Sequence, residues 1–336
     1  MSDLGKVPQF IPSSKALAKT DAVLWVKVGP DAEGQRLDNY LFRIAKGVPK
    51  SHIYRIVRGG EVRVNRKRAQ VDTRLELDDE LRIPPIRVSA VQKKESLIPV
   101  SESDLPILYE DEHILVVDKP AGLAAHGGSG ISYGLIERIR ASRPNQPFLE
   151  LAHRLDRETS GVMMLAKTRK ALVRLHEMMR EGDVHKSYKT LVLGDWVNDR
   201  QHVKAKLYKF VTASGERRVC VDNDKGLPSH TIFQLLARFG DVSYLSVDLK
   251  TGRTHQIRVH AQSCGHPLVG DEKYGDFEKN KAIAKGALGM PFKRMFLHAY
   301  RLSFKHPITG QNLEITSPLP SDCAKLIAYL KSRKEQ

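Results

Sequence analysis

Cysteine is scarce in this sequence, and the few that occur are far apart. The 336-residue chain holds Cys220, Cys264 and Cys323, and no two of them form a Cys-x-x-Cys pair. A disulfide framework needs an even number of cysteines, and a structural zinc site needs closely spaced ligands. The sequence therefore predicts reduced thiols, as in a cytoplasmic protein, and neither a disulfide scaffold nor a structural zinc site.

Long apolar runs are missing as well. No stretch approaches the roughly 20 apolar residues that a membrane-spanning helix needs, and the first residues lack the apolar core of a secretory signal. Hydrophobic residues still make up 41% of the chain, which is enough to bury a sizeable core. We therefore expect a folded cytoplasmic protein without a membrane partner, long enough for two domains.

Acidic residues are too few to balance the basic ones. The chain has 39 Asp and Glu against 55 Lys and Arg, which leaves a net charge of +16. Residues 36–68 hold ten Lys or Arg and only two acids, so half of the excess charge lies in this short segment. A solvated charged surface would also explain such a bias. Its concentration in one segment favours a polyanionic partner such as nucleic acid.

Residues 21–88 predict a small module of two helices and a β-hairpin. Leu37 and Ile44 belong to an apolar set at helical spacing, and a second short helix follows Ser51, which can cap it. Residues Asn65–Lys67 form the turn of the predicted hairpin. The apolar residues expected to complete this small core are Leu75, Leu77, Leu81 and Ile83.

Two segments of this module, Gly34–Asp38 and Gly60–Asn65, resemble the S4 RNA-binding domain. The resemblance implies that an arginine-rich face contacts RNA phosphates, with an affinity that falls as salt rises. The alternative is a charged face that only meets water. The residues expected to bind RNA are Arg36, Lys50, Arg55, Arg58, Arg63, Arg66, Lys67 and Arg68.

The rest of the chain predicts a tail, a linker and one larger domain. Residues 1–20 are polar and proline-containing, as in a flexible tail, and residues 89–105 have the composition of a linker. Residues 106–328 contain several predicted strands that follow one another without a helix between them. This order favours an α+β domain with a mixed, largely antiparallel sheet over a doubly wound one.

The segment from His153 to Gly161 is a charged loop between two apolar strands. Asp156 lies between Arg154 and Arg157, and nearby cations favour the ionised form of a carboxyl group. An ionised carboxylate at a cleft can act as nucleophile or base. From the residues alone, a salt-bridged turn explains the pattern equally well.

All nine residues of this loop resemble the signature motif of the RsuA and RluA families of pseudouridine synthases. The resemblance implies the fold of that family, with a central cleft, and Asp156 as the catalytic residue. Asp156 would attack the target uridine or remove a ribose proton while the glycosidic bond breaks. Arg154 matches the residue that enters the space left by the flipped base. His153 and Arg157 are expected to contact the substrate beside it.

Two further segments resemble motifs of the same family. Lys119–Leu123 is a tight loop that we expect to support the cleft rather than to react. Lys186-Ser187-Tyr188 opens a strand, and Tyr188 matches the tyrosine that stacks on the flipped base. As an isolated strand residue, Tyr188 would also suit the core.

The segment from Thr251 to His260 resembles the third motif of the family. Arg258 matches the basic residue that pairs with the catalytic aspartate, and Val259 matches an apolar position under the uracil. An arginine on the surface of a helix is the alternative for Arg258. His255 and His260 are five residues apart, so they point to different faces of a helix and do not suggest a metal site.

The resemblance extends over nearly the whole chain and continues through Gly270-Asp271 and Tyr274-Gly275. It implies an enzyme that isomerises uridines of large-subunit ribosomal RNA as a monomer, without cofactor or metal. One alternative is a non-catalytic S4-type RNA-binding or ribosome-assembly factor. Another is an RNA N-glycosidase or nuclease, although a glycosidase would present two carboxylates across the bond, and Glu158 is the only one next to Asp156 in sequence.

Overall fold

A computed structural model of the chain describes residues 10–12, 22–45, 48–86, 105–127 and 133–334. The chain divides into two compact units. The first comprises Met1–Ile98 with two short segments, Arg143–Leu149 and Lys167–Arg169, and the second comprises the remainder. Most of the predicted tail and nearly all of the predicted linker lie outside the described residues.

The first unit contains a five-stranded sheet and two helices. Its strands are β1 (Phe10–Pro12), β2 (Leu24–Lys27), β3 (Arg63–Val64), β4 (Lys67–Arg68) and β5 (Glu80–Ile83), in the order β1-β2-β5-β3-β4. Its helices are α1 (Leu37–Ile44) and α2 (Lys50–Arg58). The predicted pair of helices and the hairpin are confirmed. Asn65 and Arg66 form the turn of the hairpin between β3 and β4, and their φ values of 48° and 67° suit the twist of a hairpin.

Three details of this unit differ from the sequence predictions. Helix α2 begins at Lys50 after Pro49, with no side-chain cap, so Ser51 lies inside the helix. Leu77 is 46% exposed, because it lies in the turn that leads into β5 rather than in the core. Phe10–Pro12, expected as part of the tail, pairs in parallel with Trp25–Lys27.

In its described residues, the second unit is built on one large sheet with five helices. The strands are β6 (Ile107–Glu110), β7 (Ile114–Lys119), β8 (Glu150–Leu151), β9 (Ser160–Ala166), β10 (His185–Leu193), β11 (Arg200–Val211), β12 (Arg217–Val221), β13 (Leu227–Arg238), β14 (Val242–Leu249), β15 (Leu297–Lys305) and β16 (Asn312–Thr316). The helices are α3 (Leu135–Ser142), α4 (Arg169–Glu181), α5 (Gln256–Ser263), α6 (Phe277–Ala284) and α7 (Ser321–Lys334). None of the helices in the described part of the chain has the length and apolar character that crossing a bilayer requires.

The order of the sheet confirms the predicted fold class. The strands run β12-β11-β13-β14-β10-β15-β9-β7-β6, with β16 paired to β15 and β8 paired to β9. Every described pairing in it is antiparallel except that of β9 with β15. The sheet is therefore mixed and largely antiparallel, and β9, which is buried along its whole length, lies near one end of it.

The parallel pairing of β9 with β15 brings two backbones very close together. Gly161 has a φ of 111°, and a Cβ at this position would lie 2.2 Å from the carbonyl oxygen of Ala299. Only glycine fits this approach. Because Gly161 directly follows the loop between β8 and β9, it fixes where that loop leaves the sheet.

The two faces of the sheet have different surroundings. Tyr188 on β10 pairs with Val247 on β14, whereas their neighbours Ser187 and Asp248 pair one step away and point to the opposite side. Helix α5 covers the side of Tyr188, and its His260 bonds to Thr231 on β13. Helix α5, which begins within the third-motif segment 251–260, therefore lies on the same side of the sheet as Tyr188.

Candidate active site

A pocket of about 850 Å³ opens on the face of the sheet that carries Tyr188. Its lining comes from segments that are distant in sequence. These are residues 124–126, residues 151–159, helix α4, the first half of β10, Leu249 with residues 252–258, and Leu297 at the start of β15. The three residues that the sequence singled out for catalysis, Asp156, Tyr188 and Arg258, all line it.

The loop that carries Asp156 is held down by a buried lysine. Lys119 at the end of β7 is fully buried and donates hydrogen bonds to the carbonyl oxygens of Pro120, Leu123 and Arg157. Burial lowers the pKa of Lys119 to about 7. The loop Lys119–Leu123 therefore supports the loop of Asp156, as predicted, and the Lys119 side chain is engaged with main-chain oxygens.

Asp156 faces a guanidinium and an imidazole inside the pocket. Nη1 of Arg258 lies 3.1 Å from Oδ2 of Asp156, within the distance of a charge-assisted hydrogen bond. Nε2 of His255 lies 3.8 Å from the same oxygen. The side chain of Asp156 is 28% exposed and that of Arg258 only 9%. The contact predicted across 102 residues of sequence is therefore present.

Arg258 is held from behind by a second carboxylate. Its Nε and Nη2 donate to the two oxygens of Asp271 at 2.7 and 2.8 Å. Burial opposes the charge of Arg258, but its bonds to Asp271 and the field of Asp156 raise its pKa above the ordinary value. Burial likewise opposes the charge of Asp271, yet the bond to Arg258 keeps the pKa of that carboxyl below its usual range. Both partners of this buried pair are therefore charged.

Tyr274 contacts both Arg258 and His255 and helps to hold them in place. Its ring lies 4.9 Å from the guanidinium carbon of Arg258, and its hydroxyl is 2.7 Å from Nδ1 of His255. The hydroxyl also accepts a hydrogen bond from the backbone of Val219 on β12. His255 adopts a left-handed conformation with a φ of 54° before α5 begins. Strained backbone of this kind clusters at functional sites.

His255 faces the pocket as a neutral side chain. Burial lowers the pKa of its imidazole, although the carboxylate of Asp156 acts in the opposite direction. His255 is the N-cap of α5, which begins at Gln256. The neutral imidazole can therefore donate a hydrogen bond to Asp156 or to a bound base near pH 7.

Tyr188 forms part of the pocket wall and is 7% exposed. Burial and the nearby charge of Asp156 raise the pKa of its hydroxyl well above the usual value. The phenol therefore stays protonated at neutral pH. It offers a ring surface and a hydrogen-bond donor rather than a phenolate.

The remaining predicted residues of the signature loop have different surroundings. Arg154 is exposed at the pocket, with Nη1 3.0 Å from Nε2 of His126. Arg157 pairs with Glu158 at 2.7 Å, so the cation that faces Asp156 is Arg258 rather than this flanking arginine. Nε2 of His153 accepts a hydrogen bond from the backbone of Met164 on β9. Burial, followed by the charge of Lys186, lowers the pKa of His153 to about 3.

The expectation that Val259 forms an apolar wall of the pocket is wrong. Val259 is buried on the other side of α5 against Leu207 and Val219 of the sheet. Successive helix residues are about 100° apart, so two residues two positions apart point in nearly opposite directions. Ile257 lines the pocket in its place.

Asp271, Tyr274 and His255 were not among the residues predicted for the site. The signal that could have found them was present, because Gly270-Asp271 and Tyr274-Gly275 belong to the family resemblance. A carboxylate and a ring three residues apart in a glycine-flanked turn are suited to hold a nearby cation from two sides. Only the folded chain shows that this cation is Arg258.

In the first unit, most of the residues predicted to bind RNA are exposed. Arg36 is the exception, since its Nε and Nη2 both bond to Asp38 and it is half-buried. Two others lie over aromatic rings, Lys50 over Phe42 and Arg58 over Tyr54. The exposed members of the set are Lys50, Arg55, Arg58, Arg63, Arg66, Lys67 and Arg68.

Two protein families have profiles that match this chain. Residues 113–263 match the RNA pseudouridylate synthase family, and residues 35–81 match the S4 domain. The first match covers the loop of Asp156, Tyr188 and Arg258. The second covers both helices of the first unit and its hairpin.

Named relatives resemble the chain over nearly its whole length. The "Ribosomal large subunit pseudouridine synthase C" of Salmonella typhimurium is 47% identical over 94% of this chain and 99% of its own. The protein of the same name from Escherichia coli K12 is 46% identical with the same coverage.

Two solved structures resemble a large part of this chain. "Human RNA Pseudouridylate Synthase Domain Containing 1" is 28% identical with a TM-score of 0.54 and covers 70% of this chain and 97% of its own. "Human RNA Pseudouridylate Synthase Domain Containing 4" has a TM-score of 0.55 at 24% identity, covering 67% of this chain and 92% of its own.

Proposed function

The chain belongs to the RluA family of RNA pseudouridine synthases, and on that basis we propose that it isomerises specific uridines of large-subunit ribosomal RNA to pseudouridine. The identity of 46–47% to synthases of that name, over 94% of the chain, supports this substrate. The observation that carries the chemistry is the contact between Asp156 and Arg258 in a pocket that also holds Tyr188.

In this proposal Asp156 is the catalytic residue. A uridine in folded RNA must leave the stack of neighbouring bases to reach a carboxylate inside a pocket. Asp156 then attacks the ribose or removes a ribose proton while the bond to the base breaks, and the base rotates and rejoins through carbon 5. Because product and substrate are isomers, the reaction needs no co-substrate, and we expect neither a cofactor nor a metal ion.

Arg258 and Tyr188 complete the proposed catalytic set. Arg258 orients the carboxylate and balances its charge in a partly buried site, where an unpaired charge is costly. Tyr188 offers its ring for stacking on the uracil and its protonated hydroxyl as a hydrogen-bond donor. The high pKa of this hydroxyl argues against its acting as a base at neutral pH.

Arg154, Arg157 and His153 are proposed to contribute to substrate binding in three ways. Arg154 is exposed at the pocket and able to enter the space left by the flipped base. Arg157 is exposed beside it and suited to a phosphate contact. His153 acts through its bond to the backbone of β9, which holds the loop of Asp156.

The proposed domain organisation assigns binding and chemistry to different parts of the chain. Residues 21–88 form the RNA-binding S4 domain, residues 89–105 the linker and residues 106–328 the catalytic domain. The exposed arginines and lysines of α2 and the hairpin support an RNA-binding role for the first. We also propose a cytoplasmic monomer, because one copy of the chain supplies Asp156, Tyr188 and Arg258, and its three cysteines are unpaired.

The proposal is tested by mapping pseudouridines in ribosomal RNA with and without the protein. Large-subunit RNA from cells that lack it should have uridine at particular positions, and the purified protein should convert these positions after dialysis and in EDTA. Loss of activity that only a divalent metal restores, on RNA whose fold is unchanged, would contradict the metal-free mechanism. Abasic sites or strand breaks would instead indicate a glycosidase or nuclease, and binding without modification a non-catalytic factor.

A further inference from the structure

The side of the large sheet that faces away from α5 carries a cluster of basic side chains. Four alternate residues of β11 point outward from this side, and all four are basic and exposed: Arg200, His202, Lys204 and Lys206. Their neighbours along β11 point the other way, towards α5, as shown by the bond of Gln201 to Cys264. Alternation along a strand therefore places all four basic groups on one face.

The cluster extends across two further strands. Lys204 pairs with His230 on β13, and the N–H of Lys250 bonds to the carbonyl of His230, which continues the pairing of β13 with β14 by one residue. Burial and the charges of Lys204, His202 and Lys250 lower the pKa of His230. We call Arg200, His202, Lys204, Lys206, His230 and Lys250 together the rear face.

Acidic side chains do little to balance the rear face. Asp248 lies on the same side, opposite Ile232 in register, and accepts a hydrogen bond from Ser187. Asp222 accepts hydrogen bonds from the backbone of Asp224 and Lys225. Among the described residues, Lys204 and Lys250 have no carboxylate partner. Lys204 and Lys250 lie on either side of His230 on the same face, so a bound polyanion would relieve the repulsion between their charges.

The rear face is continuous with the pocket. The chain passes from Lys250 on the rear face to Gly252, Arg253 and His255 in the pocket wall within five residues. Arg253 donates to the carbonyl of Pro228 at 3.2 Å, and Pro228 pairs with Lys206 of the rear face. The pocket wall and the rear face are therefore adjacent at Arg253, so one nucleic-acid strand could contact both.

We propose that the rear face binds the phosphate backbone of the RNA that flanks the target uridine. The proposal rests on the function proposed above, because it takes the substrate to be a long ribosomal RNA. Phosphate contacts add affinity without reading sequence, so this face would favour long RNA over a minimal substrate. It would give the catalytic unit a binding surface that a short stem–loop does not reach.

The test compares two charge-matched variants on two RNAs. The first variant is Lys204→Gln with Lys206→Gln and Lys250→Gln. The control is Lys285→Gln with Lys325→Gln and Lys331→Gln, three exposed lysines at the end of α6 and on α7. Both lose three positive charges. The RNAs are a stem–loop of a few base pairs around one mapped target uridine and a long transcript that contains the same stem–loop.

On the long transcript, the first variant should bind more weakly, and its slope of log affinity against log salt should fall by about two. Each lost phosphate contact lowers that slope by about 0.7–0.9. The control variant should behave as the unsubstituted protein. On the stem–loop, both variants should keep the unsubstituted kcat and KM, which also shows that they are folded.

An unchanged slope on the long transcript would overturn the proposal. An equal loss on the stem–loop and the long transcript would overturn it too, because the lysines would then act at the pocket. If the unsubstituted protein binds the long transcript but forms no pseudouridine, the proposed function fails. The rear face is then judged by the salt slopes alone.

Discussion

Arg258 is the residue on which the proposed active site depends most, because it serves two carboxylates at once. Asp271 takes two of its N–H groups from the buried side, which leaves Nη1 to face Asp156. A guanidinium gripped in this way cannot turn out of the pocket, since its planar fork matches the carboxylate behind it. Asp271, which does not line the pocket, therefore helps to orient Asp156 through Arg258.

Replacing Asp156→Asn should abolish isomerisation while leaving RNA affinity nearly unchanged. The amide has the size of the carboxylate but can act neither as nucleophile nor as base, and phosphate contacts supply most of the binding. We expect turnover to fall by at least about 10²–10⁴-fold. Pseudouridine formation in single-turnover assays and the Kd for ribosomal RNA are the measurements. Substantial turnover by the variant would remove Asp156 from the mechanism.

Replacing Asp271→Asn should lower kcat more than it changes KM. The amide cannot match both N–H groups of Arg258, so the guanidinium loses its fixed position, and small misplacements cost about 10²-fold in rate. Breaking a buried ion pair also lowers stability, so the melting temperature should fall.

A second variant separates positioning from folding in that experiment. Tyr274→Phe keeps the ring beside Arg258 and loses only the hydroxyl that meets His255 and Val219. It should reduce kcat much less than Asp271→Asn does. If Asp271→Asn is destabilised but retains the full kcat below its melting temperature, Asp271 is only structural.

At the scale of elements, helix α5 divides its side chains between the pocket and the sheet. Ile257 lines the pocket, whereas Val259 packs against Leu207 of β11 and Val219 of β12. Arg258 lies between them and reaches Asp156 from the edge of the helix that both faces share. The first turn of α5 therefore contributes residues both to the pocket and to the packing of the helix against the sheet.

Val259→Ala and Ile257→Ala should therefore have different effects. Val259→Ala removes buried methyl groups and should cost roughly 2 kcal/mol of unfolding free energy with an unchanged kcat. Ile257→Ala should change kcat or KM, because it alters the wall of the pocket. Chemical unfolding and steady-state kinetics of both variants make the comparison. A catalytic defect confined to Val259→Ala would restore the original sequence prediction.

A side chain at Gly161, where β9 pairs with β15, should not be tolerated. In Gly161→Ala the new Cβ would meet the carbonyl oxygen of Ala299 at 2.2 Å, and the φ of 111° adds backbone strain. We expect a loss of several kcal/mol in unfolding free energy, or insoluble protein.

Gly310→Ala is the matched control for this position. Its φ of 75° is also positive, but nothing lies within 4 Å of the added Cβ. It should cost only about 1–2 kcal/mol from backbone strain. Equal melting temperatures for the two variants would show that the approach of the two strands is not tight.

At the scale of the whole molecule, our proposals assign RNA binding to two sets of basic side chains. One is the exposed set on α2 and the hairpin of the first unit, and the other is the rear face of the large sheet. Neither set supplies a catalytic residue. In these proposals the net charge of +16 contributes to RNA affinity, while a few buried groups carry out the chemistry.

Replacing Arg58, Arg66 and Lys67 with glutamine in the full chain should weaken RNA binding and flatten its salt dependence. These three residues are exposed on the first unit, and each lost contact should lower the slope by about 0.7–0.9. The lysine control on α6 and α7 described above should leave the slope unchanged. If the triple variant does the same, these residues do not contact RNA.

The sequence predicted most of the elements and the identity of the three central residues. Alternating and helical spacing, together with turn residues such as Asn65 and Gly182, gave helices and strands close to those observed. Its errors were local. Ser51 was taken as a cap, Leu77 as core and Val259 as pocket wall, because each depends on which neighbour a side chain meets rather than on the residue type.

The sequence by itself predicted an RNA-binding module, a largely antiparallel fold and Asp156 as the catalytic residue, because spacing and motif are properties of the chain. Only the tertiary structure decided that Arg258 is held by Asp271 and Tyr274, that Arg157 turns to Glu158, and that basic residues of three strands share one face. These facts depend on contacts between residues far apart in sequence. Such contacts follow from strand register and helix orientation, which no local pattern specifies.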